Sequence, residues 1–165
     1  MSDVVEPARG DAAAKLKLDD YLPYRLSVAA NAVSELIAGA YRARFGLTVP
    51  QWRLVAVLGE SGPMTQQALC SRTVMDKVTV SRAAAGLTER GLTARTPNAA
   101  DGRSHRLELS DQGRALYAGV APAALAYEAQ LLDAFSALDQ RTAHSLLRRL
   151  EAAARALAEG ERAPQ

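Results

Sequence analysis

Residues that build disulfide, metal and catalytic centres are scarce in this sequence. The chain has one cysteine and two histidines among 165 residues. A single cysteine, Cys70, cannot form an internal disulfide, which fits a protein of the reducing cytoplasm. His105 and His144 fall in separate predicted elements, outside any metal-ligand or nucleophile motif. We therefore expect no enzyme activity, no metal and no cofactor, and we expect Cys70 to be a small buried apolar residue rather than a redox sensor.

Long apolar segments are missing as well. No run of eighteen apolar residues occurs, so no transmembrane helix is expected. The first residues are polar and partly acidic, which does not match a secretory signal peptide. Aromatic residues make up only 5% of the chain, yet hydrophobic residues together reach 48%. This length and composition predict one globular domain with apolar surface left over for an interface.

A well-marked helix is predicted over residues 76–90. Asp76 is a favourable N-cap whose charge also suits the helix dipole. Gly91 provides the left-handed residue that ends many helices. A shorter helix over 65–72 precedes it after a turn, and such a pair is typical of a helix-turn-helix. The stripe that faces the core consists of Val80, Ala84 and Leu87.

The excess positive charge lies in the same region. Residues 72–106 hold seven Lys or Arg and three Asp or Glu, a net charge of +4, against +2 for the whole chain. The exposed face of helix 76–90 mixes short hydrogen-bonding groups with long cations, namely Lys77, Thr79, Ser81 and Arg82. This mixture suits a helix in a major groove of DNA, because base edges present donors and acceptors while phosphates present negative charge.

A two-stranded β-ribbon is predicted directly after this helix. Residues 92–96 form one strand, and residues 104–109 alternate polar and apolar side chains as the second. Turn-forming residues, among them Pro97 and Gly102, separate the strands. Arginines stand in or near the tip at Arg95, Arg103 and Arg106. A hairpin tip that carries arginine can enter a minor groove. The helix-turn-helix followed by this ribbon predicts a fold that is mainly α with a small β-wing, a winged helix-turn-helix.

Together these features resemble the MarR family of bacterial transcriptional regulators. The wing motif of that family, Asp-x-Arg followed by Leu-Ser or Leu-Thr, matches Asp101, Arg103, Leu109 and Ser110. Its recognition-helix pattern matches Lys77, Thr79, Val80, Ser81, Arg82, Leu87, Gly91 and Leu92. The resemblance covers about residues 20–158. It implies a ligand-responsive homodimer that binds a pseudo-palindromic operator as a repressor.

The rest of the chain divides into long helices and polar ends. We expect a disordered or partly helical tail over 1–18, a helical dimerisation region over 19–46 and 111–158, the winged helix-turn-helix over 47–110, here called the reader unit, and a tail over 159–165. Six helices result, with the wing between the fourth and the fifth. Helix starts are marked by Pro23, by Thr48 with Gln51, by Ser110 and by Ser136 with Asp139.

Wide apolar stripes on the first and the last two helices predict a homodimer. The reader unit is too small to cover them, and burying one leucine is worth roughly 1.5–3 kcal/mol. Pairing about a two-fold axis would cover the stripes and present two recognition helices to adjacent turns of DNA. The alternative is a monomer whose helices close on themselves. On the last helix the stripe consists of Ala143, Leu146, Leu147, Leu150, Ala154 and Leu157.

We expect a regulator that binds double-stranded operator DNA through helix 76–90 in the major groove and wing 95–106 in the minor groove. A non-specific architectural DNA-binding protein is the alternative, and it would bind random DNA nearly as well as an operator. Asp101 is expected to hold Arg103 or the wing turn in place, because a carboxylate that faced DNA would repel it. The predicted DNA-binding residues are Arg72, Lys77, Thr79, Ser81, Arg82, Arg95, Arg103 and Arg106.

A small phenolic or carboxylate effector is also implied by the resemblance, in a crevice between the dimer helices and the reader unit. The candidate residues for binding such a compound are Tyr21, Tyr24, Arg25 and Trp52. Arg25 could pair with a carboxylate, and the aromatic side chains could stack on a ring. Ordinary packing is the alternative for each of them, and for Trp52 this means anchoring its helix to the core.

Overall fold

A computed structural model of the chain describes residues 15–98 and 104–162. Residues 1–14 of the predicted tail over 1–18 and the loop with Asp101 and Arg103 lie outside the described residues. The helices are α1 (Leu22–Phe45), α2 (Val49–Ser61), α3 (Gln66–Thr73), α4 (Lys77–Glu89), α5 (Asp111–Leu132) and α6 (Ala137–Arg162), and the strands are β1 (Met64–Thr65), β2 (Thr93–Pro97) and β3 (His105–Leu109). The mainly α winged-helix architecture is thereby confirmed.

Side-chain caps fix the starts of α2 and α5 where the sequence predicts them. At α2 the backbone N–H of Gln51 donates to the Thr48 hydroxyl at 3.4 Å, and the backbone N–H of Thr48 donates to Gln51 Oε1 at 3.0 Å. At α5 the Ser110 hydroxyl accepts from the backbone N–H of Gly113 at 3.0 Å. Each bond satisfies a donor that the first helical turn leaves unpaired.

Two helices run further than predicted. Helix α2 continues past Gly59 to Ser61, because Gly59 serves packing rather than termination: a Cβ there would lie 2.7 Å from the ring of Tyr117. Helix α6 continues to Arg162 instead of ending near Leu157. The segment 158–162 contains Ala, Glu and Arg, which favour the helical state, and the single unfavourable residue Gly160 does not end the helix.

The predicted two-stranded ribbon is confirmed as β2 and β3, and the sheet gains a third strand, β1, that was not predicted. Its order is β1-β3-β2, and both pairs are antiparallel. Strand β2 pairs with β3 from Thr93 opposite Leu109 to Pro97 opposite His105. The additional strand β1 sets Met64 opposite Leu107. Two residues are too few to show an alternating pattern, so β1 can be recognised only by its pairing with β3 in the folded chain.

The hydrophobic core lies between α2, α3, α4 and the sheet. Leu54, Leu69 and Leu87 are at most 1% exposed. Tyr41 of α1 and Val120 of α5 complete this core from the flanking helices. Among the described residues, no helix combines the length and apolarity that a membrane span requires.

Candidate nucleic-acid interface

Side-chain bonds fix the angle and spacing of α3 and α4. The Thr65 hydroxyl caps α3 by accepting from the backbone N–H of Ala68 at 3.3 Å. The side-chain amide of Gln66 reaches from α3 to donate to the backbone carbonyl of Lys77 at 3.3 Å. The turn between the helices contains Val74 at φ 52°, the one non-glycine residue with positive φ in the described part of the chain. The first turn of α4 is therefore held at a defined place.

Asp76 caps α4 with both oxygens of its carboxylate. The backbone N–H of Thr79 donates to Oδ1 at 2.8 Å, and the Thr79 hydroxyl donates to Oδ2 at 2.6 Å. These bonds stabilise the charged form, and the hydroxyl bond contributes most to holding the pKa of Asp76 below its ordinary value. Thr79 was predicted to contact DNA. Its hydroxyl proton is already used here, which leaves it only an acceptor to offer.

Three exposed side chains of α4 are free for a partner. Val80, Ala83, Ala84 and Leu87 are buried, as the predicted stripe requires. Lys77, Ser81 and Arg82 are exposed. Within residues 15–98 and 104–162, these three side chains form no ion pair and no hydrogen bond. Two cations and a hydroxyl therefore stand uncommitted on the helix that the fold presents.

The wing stands beside this helix and carries Arg95. This arginine on β2 is exposed and, among the described residues, has no ion-pair partner. The base of the wing is closed by Asn98, whose backbone N–H donates to the Ser104 carbonyl at 3.0 Å and whose amide donates to the Ser104 hydroxyl at 2.8 Å. The predicted roles of Asp101 and Arg103 concern the loop between them, outside the described residues.

Two other predicted DNA contacts already have partners in the protein. Arg72 forms an ion pair with Glu60 at 3.0 Å, with both side chains more than half exposed. Such a surface pair is worth at most about 1 kcal/mol, so it can open. The guanidinium of Arg106 donates to the backbone carbonyl of Pro63, which ties β3 to the loop before β1. Both residues stay predictions as phosphate contacts, with part of their donors engaged.

Arg90 has a structural role that sequence reasoning did not find. Its guanidinium donates to the backbone carbonyls of Gly46 at 2.8 Å and Phe45 at 3.3 Å. A cation at the carboxyl end of α1 satisfies carbonyls that the helix leaves unpaired and suits the helix dipole. The bond spans more than forty residues of sequence, so no local pattern predicts it. Arg90 is one of the seven cations of residues 72–106, but its guanidinium is bonded to the end of α1.

An open groove of about 820 Å³ lies between α3, α4 and the wing strands. Leu69 and Val80 are among its apolar lining, and Lys77, Arg95 and Arg106 place cations along it. Cys70 also lines the groove and is half-buried, which is more exposed than the buried position expected for it.

Three of the four residues predicted to bind an effector lie together at the start of α1, and the fourth, Trp52, lies on α2. Tyr21, Tyr24 and Arg25 are exposed at the start of α1. Trp52 is half-buried, with its ring centroid 4.6 Å from that of Tyr41. No ring contact joins Trp52 to Tyr21 or Tyr24 in the described residues. Tyr41 was not predicted as part of this cluster, and burial raises the pKa of its hydroxyl.

Comparisons with known proteins agree with this geometry. A model of the MarR family matches residues 45–104, which include α2, the helix-turn-helix and β2. The crystal structure of a MarR family transcriptional regulator from Silicibacter pomeroyi is 30% identical, with a TM-score of 0.73 over 84% of this chain and 98% of that chain. The chain belongs to the MarR family.

Further structures support the same assignment of the MarR fold. A probable transcriptional regulator from Pseudomonas aeruginosa is 36% identical, with a TM-score of 0.72 over 81% of this chain and 99% of that chain. BpsR from Bordetella bronchiseptica is 20% identical and has the same fold, with a TM-score of 0.76 over 84% of this chain and 98% of that chain. No protein with a curated description matches the chain. As a MarR family member, the chain is a DNA-binding transcriptional regulator.

Proposed function

We propose that this MarR family regulator is a homodimeric repressor that reads a pseudo-palindromic operator. Helix α4 enters the major groove and the wing over 95–106 enters the minor groove. The observation that carries this proposal is the exposed face of α4, where Lys77, Ser81 and Arg82 have no partner among the described residues. Uncommitted donors beside uncommitted cations are the combination that base edges and flanking phosphates require.

The dimer is supported by the exposure of α6. Every residue from 141 to 160 is exposed in the single chain. Leu146, Leu147 and Leu157 are 46%, 53% and 73% exposed, and they belong to one predicted stripe. Apolar surface of this extent on a helix of a water-exposed chain marks an interface. A second copy of the same helices provides a matching apolar surface and sets the two α4 helices at a fixed spacing.

The cations divide into two roles in this proposal. Arg82 and Lys77 on α4 reach base edges and the nearest phosphates, while Arg95 and Arg103 of the wing contact the backbone or minor groove. Arg72 and Arg106 add phosphate contacts only with the donors that their protein partners leave over. Asp101 orients Arg103 rather than touching DNA.

Ligand control is the second part of the proposal. The DNA binding of BpsR is regulated by 6-hydroxynicotinic acid, an aromatic carboxylate, although its identity of 20% shows only a common fold. We propose that a small aromatic acid binds near the start of α1, where Tyr21, Tyr24 and Arg25 are exposed, with Trp52 at the base of the site. Binding there would shift the spacing of the two α4 helices, because α1 belongs to the dimer region.

Selection of duplexes from a random pool tests the DNA-binding proposal. The purified protein should enrich a near-palindrome, and fluorescence anisotropy should show discrimination of roughly 10³ or more over scrambled duplex at physiological salt. Equal binding of selected and scrambled DNA would favour the architectural alternative instead. Transcription in vitro from a promoter that overlaps the selected site should decrease as protein is added, and an increase would show an activator.

The effector is tested on the same complex. A panel of aromatic acids, including 6-hydroxynicotinic acid, is added to the protein bound to its selected duplex. Release by a member of the panel, with loss of that response in Arg25→Ala, would support the site. Release that is unchanged in Arg25→Ala would place the effector elsewhere.

A further inference from the structure

One apolar side chain stands at the centre of the face that α4 turns to solvent. Val78 is 57% exposed, although it lies on a helix whose other large apolar residues are buried. At about 100° per residue, Val78 and Arg82 each lie within about 20° of the position directly opposite the buried Val80. Both side chains therefore lie where a groove-bound helix approaches the bases most closely, whereas Ser81 lies at one flank.

The exposed valine contributes nothing visible to the stability of the chain. It packs into no part of the described core, and a β-branched residue at an exposed helix position is less favourable than alanine. On the same face Arg82 is cationic and the exposed Ala85 is small, so Val78 belongs to no wide apolar stripe of the kind found on α6. The cations around Val78 are complementary to a polyanion. The two methyl groups of Val78 would therefore suit an apolar group that lies inside a negatively charged groove.

The major groove of DNA offers one apolar group of this kind, the 5-methyl group of thymine. We propose that Val78 packs against the 5-methyl group of one thymine in each operator half-site and so selects a T·A pair beside the base read by Arg82. This inference rests on the proposed function, because it requires α4 to lie in the major groove. It adds a specificity-determining residue that the predicted set of DNA contacts omitted.

Deoxyuridine provides a direct test, because it lacks only the 5-methyl group and pairs as thymine does. Each thymine of the selected operator is replaced in turn by deoxyuridine, and affinity is measured by fluorescence anisotropy. One thymine per half-site should be sensitive, with a loss of about fourfold for each methyl group removed from contact. Val78→Ala should bind the thymine operator more weakly and should show no further loss on the deoxyuridine operator.

Two comparisons keep this test falsifiable. Val78→Ala favours the helix, so a loss of binding cannot be ascribed to unfolding when thermal unfolding confirms an unchanged or higher midpoint. Val28→Ala makes the same chemical change on α1, where Val28 is 39% exposed, and it should keep the full thymine-to-deoxyuridine ratio. The ratio is internal to each protein, so any general loss of affinity in this control cancels.

The outcomes separate this inference from the proposed function. A selected operator that tolerates deoxyuridine at every thymine overturns the role of Val78 and leaves the regulator intact. A deoxyuridine penalty that persists in full in Val78→Ala overturns it as well, because the methyl group then contacts another residue. Failure of the wild-type protein to enrich any sequence overturns both proposals together.

Discussion

The reader unit buries its leucines within a single chain, whereas the flanking helix α6 leaves its leucines exposed. Leucines of the reader unit such as Leu54 and Leu87 are fully buried within the chain. Leucines of α6 such as Leu146 and Leu157 are about half to three-quarters exposed. The same residue type thus serves folding in one region and remains available for association in the other. Stability of the reader unit should not depend on protein concentration, whereas that of the flanking helices should depend on it.

The two regions are joined by polar and steric contacts rather than by a shared apolar interface alone. Arg90 at the end of α4 donates to the last carbonyls of α1. The Ser110 hydroxyl donates to the Gly91 carbonyl at 2.6 Å and caps α5 at the same time. Movement of α1 or α5 can therefore reach both ends of the wing and the end of α4, which is the connection that ligand control requires.

Charges placed on the stripe of α6 should have the largest effect. Leu146→Glu together with Leu150→Glu would bury two carboxylates from each chain in a dimer, which is prohibitively costly. Sedimentation should show a monomer, and operator affinity should fall by roughly 100-fold or more because the second half-site no longer binds with the first. The fold of the reader unit should persist, as judged by circular dichroism.

The matched control places the same charges on the opposite face. Ser145→Glu together with Ala152→Glu changes exposed positions of α6 that lie away from the stripe. This variant should stay dimeric and bind the operator as the wild type does. A monomer in both variants, or a dimer in both, would remove the argument that the stripe is the interface.

The junction of the two regions should be the next most sensitive place. A Cβ on Gly113 would lie 1.9 Å from the Leu92 carbonyl oxygen, so Gly113→Ala forces α5 away from the wing. We expect a loss of about 1–3 kcal/mol or more in the free energy of unfolding. Gly119→Ala in the same helix meets only Phe45 at 3.9 Å and should be neutral or stabilise by up to about 1 kcal/mol. Urea denaturation measures both variants, and equal effects would contradict the steric account.

On the reader unit, loss of one groove-facing cation should change recognition without changing assembly. Arg82→Ala should weaken operator binding by about 1–3 kcal/mol and relax base preference at one position per half-site. Arg155→Ala is the control, since Arg155 pairs with Glu151 on α6 at 2.5 Å and lies outside the proposed interface with DNA. Anisotropy on operator and scrambled duplexes compares them. An equal loss on both duplexes would reduce Arg82 to a phosphate contact.

Local signals in the sequence were sufficient for most of the fold. The cap at Thr48, the glycine at Gly91 and the stripe of α4 act within a few residues, so the pattern alone locates them. Strand β1 and the bond from Arg90 to the end of α1 depend on partners more than forty positions away. Such contacts exist only once the chain has folded, and no short-range pattern reports them.

The sequence predicted which kinds of residue form the candidate site, but it predicted only part of what each residue does there. The exposed face of α4 follows from helical spacing, so Lys77, Ser81 and Arg82 were found. Spacing does not show that Thr79 donates to Asp76. Helical spacing alone does not distinguish the exposed Val78 from an apolar residue that packs against another helix. The proposed effector site adjoins the proposed dimer interface, and a single sequence contains no geometry between chains.

The smallest expected effect separates capping from DNA contact within the first turn of α4. Bonds from Thr79 lower the pKa of Asp76 in the folded chain. The ionised carboxylate therefore stabilises the fold at pH values above its ordinary pKa of 3.8, and this contribution is lost as the pH falls through the lower pKa of the folded chain. Asp76→Asn should therefore lower the midpoint of thermal unfolding at pH 7, with the difference from wild type closing below about pH 3.8. Thr79→Val removes the hydroxyl bond that contributes most to lowering this pKa, and NMR titration should show the pKa of Asp76 moving back towards its ordinary value. If the pKa does not move, the Thr79 hydroxyl is not engaged with the cap, and it would be free to donate to DNA as the sequence first suggested.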